Sequence, residues 1–274
     1  MRRRLCEEDN TGNHCQKEMV CVLKAIEKKP IIMILVGVVG IAMSSIFVRY
    51  SQAPSPVTAV WRMLWTVALM TPVVLGKASV RRELCQLRLG KWLISGLSGL
   101  FLAAHFVLWF ESLQHTSVAS STTIVCTEVI WVALGYCLFL KGKLSGRAVG
   151  AIAVTLSGSL LIALADFGEG GLYGDLLALA GAIATAVYTL LGTEARKNLS
   201  TTVYTYVVYG ACTVVLLITC FVQGQSLVGY GLSAPVVGLL LAVFSTILLS
   251  HRLHLQSQMQ PSYTLRVRRN RVPV

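Results

Sequence analysis

Charge is what this 274-residue chain has least of: charged side chains make up 13% of it, and only 12 residues are Asp or Glu. A soluble globular domain carries about 25% charged residues, so the composition excludes an ordinary water-soluble fold. Cysteine is missing from every segment read below as facing outward, which argues against a disulfide framework. Cys6, Cys15, Cys21 and Cys85 fall in basic connecting segments, and Cys126, Cys137, Cys212 and Cys220 fall inside apolar runs. His14 near Cys6, Cys15 and Cys21 has no recognised metal-ligand spacing, so these read as reduced tail thiols and no metal is expected. The chain also lacks a Gly-x4-Gly-Lys-Ser/Thr loop, and no cofactor is expected.

What is present is apolar, 55% of the residues. Eight runs are long enough or nearly long enough to cross a bilayer: 31–49, 56–76, 92–112, 117–140, 148–165, 174–194, 201–222 and a shorter one at 236–250. Crossing about 30 Å of hydrocarbon takes about 20 residues of helix, and unpaired backbone groups leave only helices or closed barrels as options. The expected fold class is therefore an all-α integral membrane bundle of about eight spanning helices. Short Gly- and Pro-marked joints make consecutive helices antiparallel. All 24 basic residues except Arg49 and Arg62 then fall on one side, while the opposite loop 166–175 is acidic. By the positive-inside rule both termini are cytoplasmic and the protein is a multi-pass plasma-membrane protein. Because the cations alternate with the helices, the net charge of +12 points to lipid as partner and not to nucleic acid. The polar segment 1–30 reads as a cytoplasmic tail ahead of an anchor, not as a removable signal peptide.

The spacing suggests an internal duplication, with five helices per copy forcing the second copy to be inverted. Gly40-x-Ala42-x-Ser44 lies on Ala182-x-Ala184-x-Ala186, and the segment 99–105 lies on 245–251, pairing His105 with His251. The first repeat is 31–165 and the second, incomplete, is 172–251.

Several residue strings carry a family resemblance. They are Trp61-Arg62; the run from Ala104-His105-Phe106 through Trp109-Phe110-Glu111-Ser112-Leu113, followed by Thr116-Ser117-Val118-Ala119-Ser120-Ser121; Gly158-Ser159-Leu160-Leu161; Asp166-Phe167 leading into Gly174-Asp175-Leu176-Leu177; and Phe244-Ser245-Thr246 with His251. With these the chain resembles the bacterial ten-helix drug/metabolite transporters built from two EamA domains. The resemblance implies carriage of a small-molecule solute, a metabolite or drug, by alternating access. Two departures stand out. Thr127-Glu128 occupies the place where such proteins often carry a proline, and after His251 the apolar pattern gives way to the basic stretch 252–274. The expectation from the latter is a reading-frame change or premature end near His251; a basic tail held by anionic headgroups is the alternative. A transport-incompetent fragment is the corresponding functional alternative. A homodimer is one way to fill the gap, although the sequence marks no interface for it.

The candidate translocation residues are Arg62, His105, Trp109, Glu111, Ser121, Glu128 and Tyr206. Arg62 lies in the second run, about 9 Å below its start at 1.5 Å per residue. An arginine at the centre of a spanning helix costs about 2.5 to 3.5 kcal/mol on insertion scales. It is either an anchor for an anionic solute, with protonation of Glu128 as a charge switch, or half of a permanent ion pair with Glu128 or Glu111. Ser117, Ser121 and Glu128 share one helical stripe that either lines a path or bonds to neighbouring helices. Trp61, Trp109 and Phe110 read as interfacial anchors. His105 and His251 are either proton relays or hydrogen-bonding struts. Tyr206 falls near the repeat counterpart of Arg62. Gly96-Leu97-Ser98-Gly99 has the form used by intramembrane serine proteases, but Ser98 would need a base. His105 is about 10 Å along the same helix, which leaves His251.

Overall fold

A computed structural model describes residues 46–48, 53–142, 144–165, 171–197, 199–230 and 234–243, all within one compact unit spanning Ser44–Val274. The first expected span apart from 46–48, residues 166–170 of the loop 166–175, the end of the eighth span, His251 and the basic tail lie outside the described residues. Every regular element among those described is helical: α1 Ser55–Gly76, α2 Ala78–Cys85, α3 Leu89–His115, α4 Val118–Cys126, α5 Glu128–Leu138, α6 Gly146–Ala165, α7 Leu172–Ala195, α8 Thr201–Val222 and α9 Ala234–Val243. α1, α3, the α4–α5 segment, α7 and α8 are each long and apolar enough to cross a membrane. The all-α membrane architecture is as the sequence led one to expect.

Helix starts follow local chemistry. Pro54 precedes α1 and Pro56 sits in its first turn, where a missing N–H is harmless and φ is already helical. Ser117 and Ser200 cap α4 and α8 by accepting hydrogen bonds from Ser120 N and Val203 N, supplying a partner for a backbone donor that the helix leaves free. Inside the spans many hydroxyls bond to their own helix: Thr66 Oγ1 to Arg62 O at 2.8 Å, Thr71 Oγ1 to Val67 O at 2.8 Å, Thr213 Oγ1 to Tyr209 O at 2.7 Å and Thr219 Oγ1 to Val215 O at 3.0 Å. Such bonds let a threonine reside in hydrocarbon without any site to serve.

Two elements depart from expectation. The basic joint after α1 contains α2, an amphipathic turn with Val80 buried and Arg81 and Arg82 exposed. The span expected at 117–140 is divided at Thr127 into α4 and α5. There Thr127 Oγ1 donates to Ile124 O at 2.6 Å, and Thr127 N bonds the same carbonyl at 3.0 Å, a tight i, i−3 turn in place of the α-helical ladder.

α3 runs through the middle of the bundle and packs on α1, α7 and α8. Small residues set how close its neighbours come. Gly181, Ala182, Ala184 and Ala186 are buried on α7, and Gly99 of α3 lies so near α8 that a Cβ there would fall 2.7 Å from Val208 O and 2.8 Å from Ala211 Cβ. Close approach of this kind drives helix association where lipid is as apolar as the helix faces. Trp109 and Phe110 are consequently in the interior, 5% and 0% exposed, and not interfacial anchors: α3 continues to His115, and its neighbours cover both residues. Trp61 is half-buried, and its Nε1 donates to Leu227 O at 3.1 Å.

Opposite ends of the bundle are tied by different bonds. At the end holding Ser55, His115 and Leu172, Ser55 Oγ donates to Glu111 Oε2 at 2.8 Å, while Thr116 Oγ1 and Ser120 Oγ both donate to Asp175 Oδ1 at 2.9 Å. At the end holding Gly76, Leu89 and Thr201, Glu83 Oε1 accepts from Ser200 N at 2.7 Å, joining the two basic joints and placing a carboxylate at the N-terminus of α8, where the helix dipole favours it. Gly99→Val is expected to destabilise the fold by about 1–3 kcal/mol through overpacking against α8. Gly96→Ala, with nothing within 4 Å of its Cβ position, should be tolerated. Thermal unfolding of both variants in one detergent measures the difference.

Candidate functional site

Arg62 projects from α1 where three other elements meet. α9 crosses α1 at this height, since a Cβ on Gly238 would lie 2.7 Å from Trp61 Cβ and 2.9 Å from Arg62 N. From α3, the Phe106 ring lies under the guanidinium, with Cζ 4.6 Å from the ring centroid. From α8, Tyr209 and Cys212 come within electrostatic reach of Arg62. Its Nε and Nη1 are fully buried and have no hydrogen-bond partner among the described residues.

Neither expected carboxylate reaches this guanidinium. Glu111 sits at the end of α3, where Oε2 accepts from Ser55 and Oε1 lies 3.2 Å from His115 Nε2. Glu128 opens α5 beyond the break at Thr127, and no ion pair joins it to Arg62. A permanent salt bridge to either residue is thus not how Arg62 is accommodated. A face-on aromatic ring offsets about 0.5 to 2 kcal/mol of a desolvated cation's cost, against about 2.5 to 3.5 kcal/mol for placing it at mid-membrane. Phe106 covers part of the cost and leaves the donors unmatched.

The ring under Arg62 belongs to an aromatic ladder along one side of α3. His105 and Phe106 have centroids 5.2 Å apart, His105 and Trp109 stack at 5.7 Å and 16°, and Trp109 meets Phe110 at 5.2 Å. His105 Nδ1 is 3.0 Å from Gly181 O on α7, a strut between helices that fixes the ring. Trp109 Nε1, like Arg62, is a buried donor without a partner, as is Trp65 Nε1 one turn further along α1.

Of the seven residues singled out from sequence, Arg62, His105 and Trp109 thus meet in one cluster, and four lie elsewhere. Glu111 belongs to the latch at the Ser55 end. Ser121 Oγ is 2.5 Å from Ser112 Oγ, whose hydroxyl also lies 2.8 Å from Trp109 O, so it joins α4 to α3. Glu128 marks the helix break. Tyr206 Oη is 3.3 Å from Thr71 Oγ1, toward the Gly76 end and away from Arg62. Phe106 was not singled out because an isolated Phe in an apolar run carries no signal; the spacing of His105, Phe106, Trp109 and Phe110 at one helical face was the available clue. Ser98 Oγ lies 2.5 Å from Tyr204 Oη and 3.3 Å from Tyr188 O, with His105 turned to Gly181. Among the described residues it faces no imidazole.

Comparison with known proteins assigns this helical bundle to a family. The chain belongs to the EamA-like transporter family, whose model matches residues 28–164, half of the sequence. It is also 26% identical over 133 residues to an uncharacterized transporter of Archaeoglobus fulgidus, a match covering 46% of this chain and 45% of that protein. The chain thus matches less than half the length of that relative.

The Ser98–Tyr204 contact, buried among α3, α7 and α8, gives a quantitative check on the packing around the cluster. A double-mutant cycle of Ser98→Ala with Tyr204→Phe is expected to return a coupling of about 0.6 to 1.7 kcal/mol, the range found for hydrogen bonds between membrane helices. A coupling of zero in thermal unfolding would remove that bond from the account.

Proposed function

We propose that the protein moves a small organic metabolite or drug across the plasma membrane by alternating access, drawing on a solute or ion gradient, with both termini cytoplasmic. The observation that carries this reading is the half-buried Arg62, whose Nε and Nη1 are buried with no hydrogen-bond partner and which pairs with no carboxylate among the described residues. A charge kept in a membrane interior without a protein counterion has a functional role as its default explanation. In this reading Arg62, His105 and Trp109 form the binding cluster, while Glu111, Ser121, Glu128 and Tyr206 lie along the path at other heights.

Two further features support it. The α4–α5 segment is discontinuous at Thr127, and broken helices near mid-membrane are where carriers commonly build their sites. The segments 31–165 and 172–251 are proposed as inverted copies, with the solute between them. Glu128, in the first turn of α5, is proposed as the proton-coupling group.

The test is flux. Purified protein in liposomes, screened by counterflow with radiolabelled amino acids, organic acids and nucleosides, should accumulate at least one of them. Glu128→Gln should leave counterflow intact while cutting proton-driven accumulation by about tenfold or more, as expected when one coupling charge is removed. Proton-driven accumulation unchanged in this variant would exclude Glu128 as the coupling group, and absence of counterflow for every solute would count against carriage itself.

A further inference from the structure

We infer that the Arg62 cluster holds the oxyanion of the transported solute, a carboxylate or phosphate, and discriminates against amines. This rests on the transport reading above and adds the charge class of the cargo.

Several hydrogen-bonding groups on α1 and α3 are unmatched among the described residues. Arg62 Nε and Nη1 and Trp109 Nε1 are buried without partners, and Trp65 Nε1 follows one turn away. All are donors. Leaving one such group unmatched costs about 1–3 kcal/mol, and more when it is charged. Several other polar groups have partners: Thr66 and Thr71 bond their own helix, His105 bonds Gly181 O, and Glu111 is taken by Ser55 and His115; Thr185 Oγ1 on α7 is also unmatched, a hydroxyl that can donate as well as accept. The missing complement is therefore a set of acceptors carrying negative charge, and this chain does not itself supply it among the described residues.

Geometry narrows the approach. Phe106 occupies one side of the guanidinium, with Cζ 4.6 Å from the ring centroid, so an acceptor meets Arg62 from another side, through the N–H groups by which the planar fork pairs with carboxylate and phosphate. Phe106, Trp109 and the stacked His105 give an apolar wall beside it, suited to the organic body of the solute. An amine brought here would set a second positive charge beside an uncompensated one, with no carboxylate at hand to receive it.

The experiment uses the full chain in phosphatidylcholine nanodiscs, with tryptophan fluorescence as readout and four probes that share one ring: benzoate, phenyl phosphate, benzyl alcohol and benzylamine. Benzoate or phenyl phosphate should bind at least about tenfold more tightly than benzyl alcohol, with benzylamine weakest, since a charge-assisted pair exceeds a neutral hydrogen bond by about that factor. The two anionic arms separate carboxylate from phosphate. Arg62→Gln should abolish the preference. Arg62→Lys should keep it with weaker binding, and Trp109→Phe should weaken the anion without reversing the order; these two variants carry the test if Arg62→Gln fails to fold. Equal binding of benzylamine, a preference that survives Arg62→Gln, or no binding of either anion overturns the inference. Anion binding without flux in liposomes would sink the transport reading alone, whereas flux that treats acids and amines alike would sink the charge assignment alone.

Discussion

In hydrocarbon a polar group has no water to fall back on, and every such group in this bundle must find its complement inside the protein. Most do so locally. Threonine hydroxyls return to the carbonyl one turn back, Ser112 and Ser121 pair across α3 and α4, and Ser98 meets Tyr204. These satisfied groups throw the exceptions into relief. Arg62 sits over a phenyl ring and beside a tyrosine and a cysteine, an environment that tolerates a cation without neutralising it. Arg62, Trp65 and Trp109 hold unmatched donors on α1 and α3, and Trp131, Thr185 and Gln225 each hold a further unmatched atom among the described residues.

The cluster exists only because the backbones approach closely. Gly99 against Val208 brings α8 to α3, Gly181 lets His105 reach a carbonyl of α7, and Gly238 lets α9 cross α1 at Trp61 and Arg62. Each contact is a position where a side chain larger than hydrogen would push a wall of the site outward. Small residues at helical spacing are therefore not separable from function here: the same glycines that pack the bundle set the distance between Arg62 and the rings of α3.

Much of this was legible from residue order. Pro54 and Pro56 announce the start of α1, the glycines and basic residues mark the joints, and a lone Arg62 within an apolar run identifies the centre of interest before any fold is known. What the sequence hid has physical reasons. α2 is eight residues rich in charge, and about two amphipathic turns inside a basic connection offer too short a period to recognise. Trp109 and Phe110 look interfacial because they fall near the end of an apolar run, but depth depends on how far α3 extends and on which helices flank it. The partner of Arg62 was sought among carboxylates, the groups that sequence makes conspicuous; the neighbour found was Phe106, whose role exists only once α1 lies against α3.

The break at Thr127 follows from the same physics. Residues 118–138 hold a Gly only near their end and no Pro, so nothing in their composition announces an interruption, yet α4 and α5 are fastened to α7 by unlike means. α4 is held through Ser120 and Asp175, a directional bond that fixes both position and rotation. α5 is held through Gly135 packing on Leu190, a contact that fixes separation and tolerates sliding. Between the two attachments, Ile124 O accepts from both the hydroxyl and the N–H of Thr127, a tight turn that joins the two helices. Ile130 N bonds Thr127 O at 2.9 Å, so the chain resumes its helical path directly after Thr127.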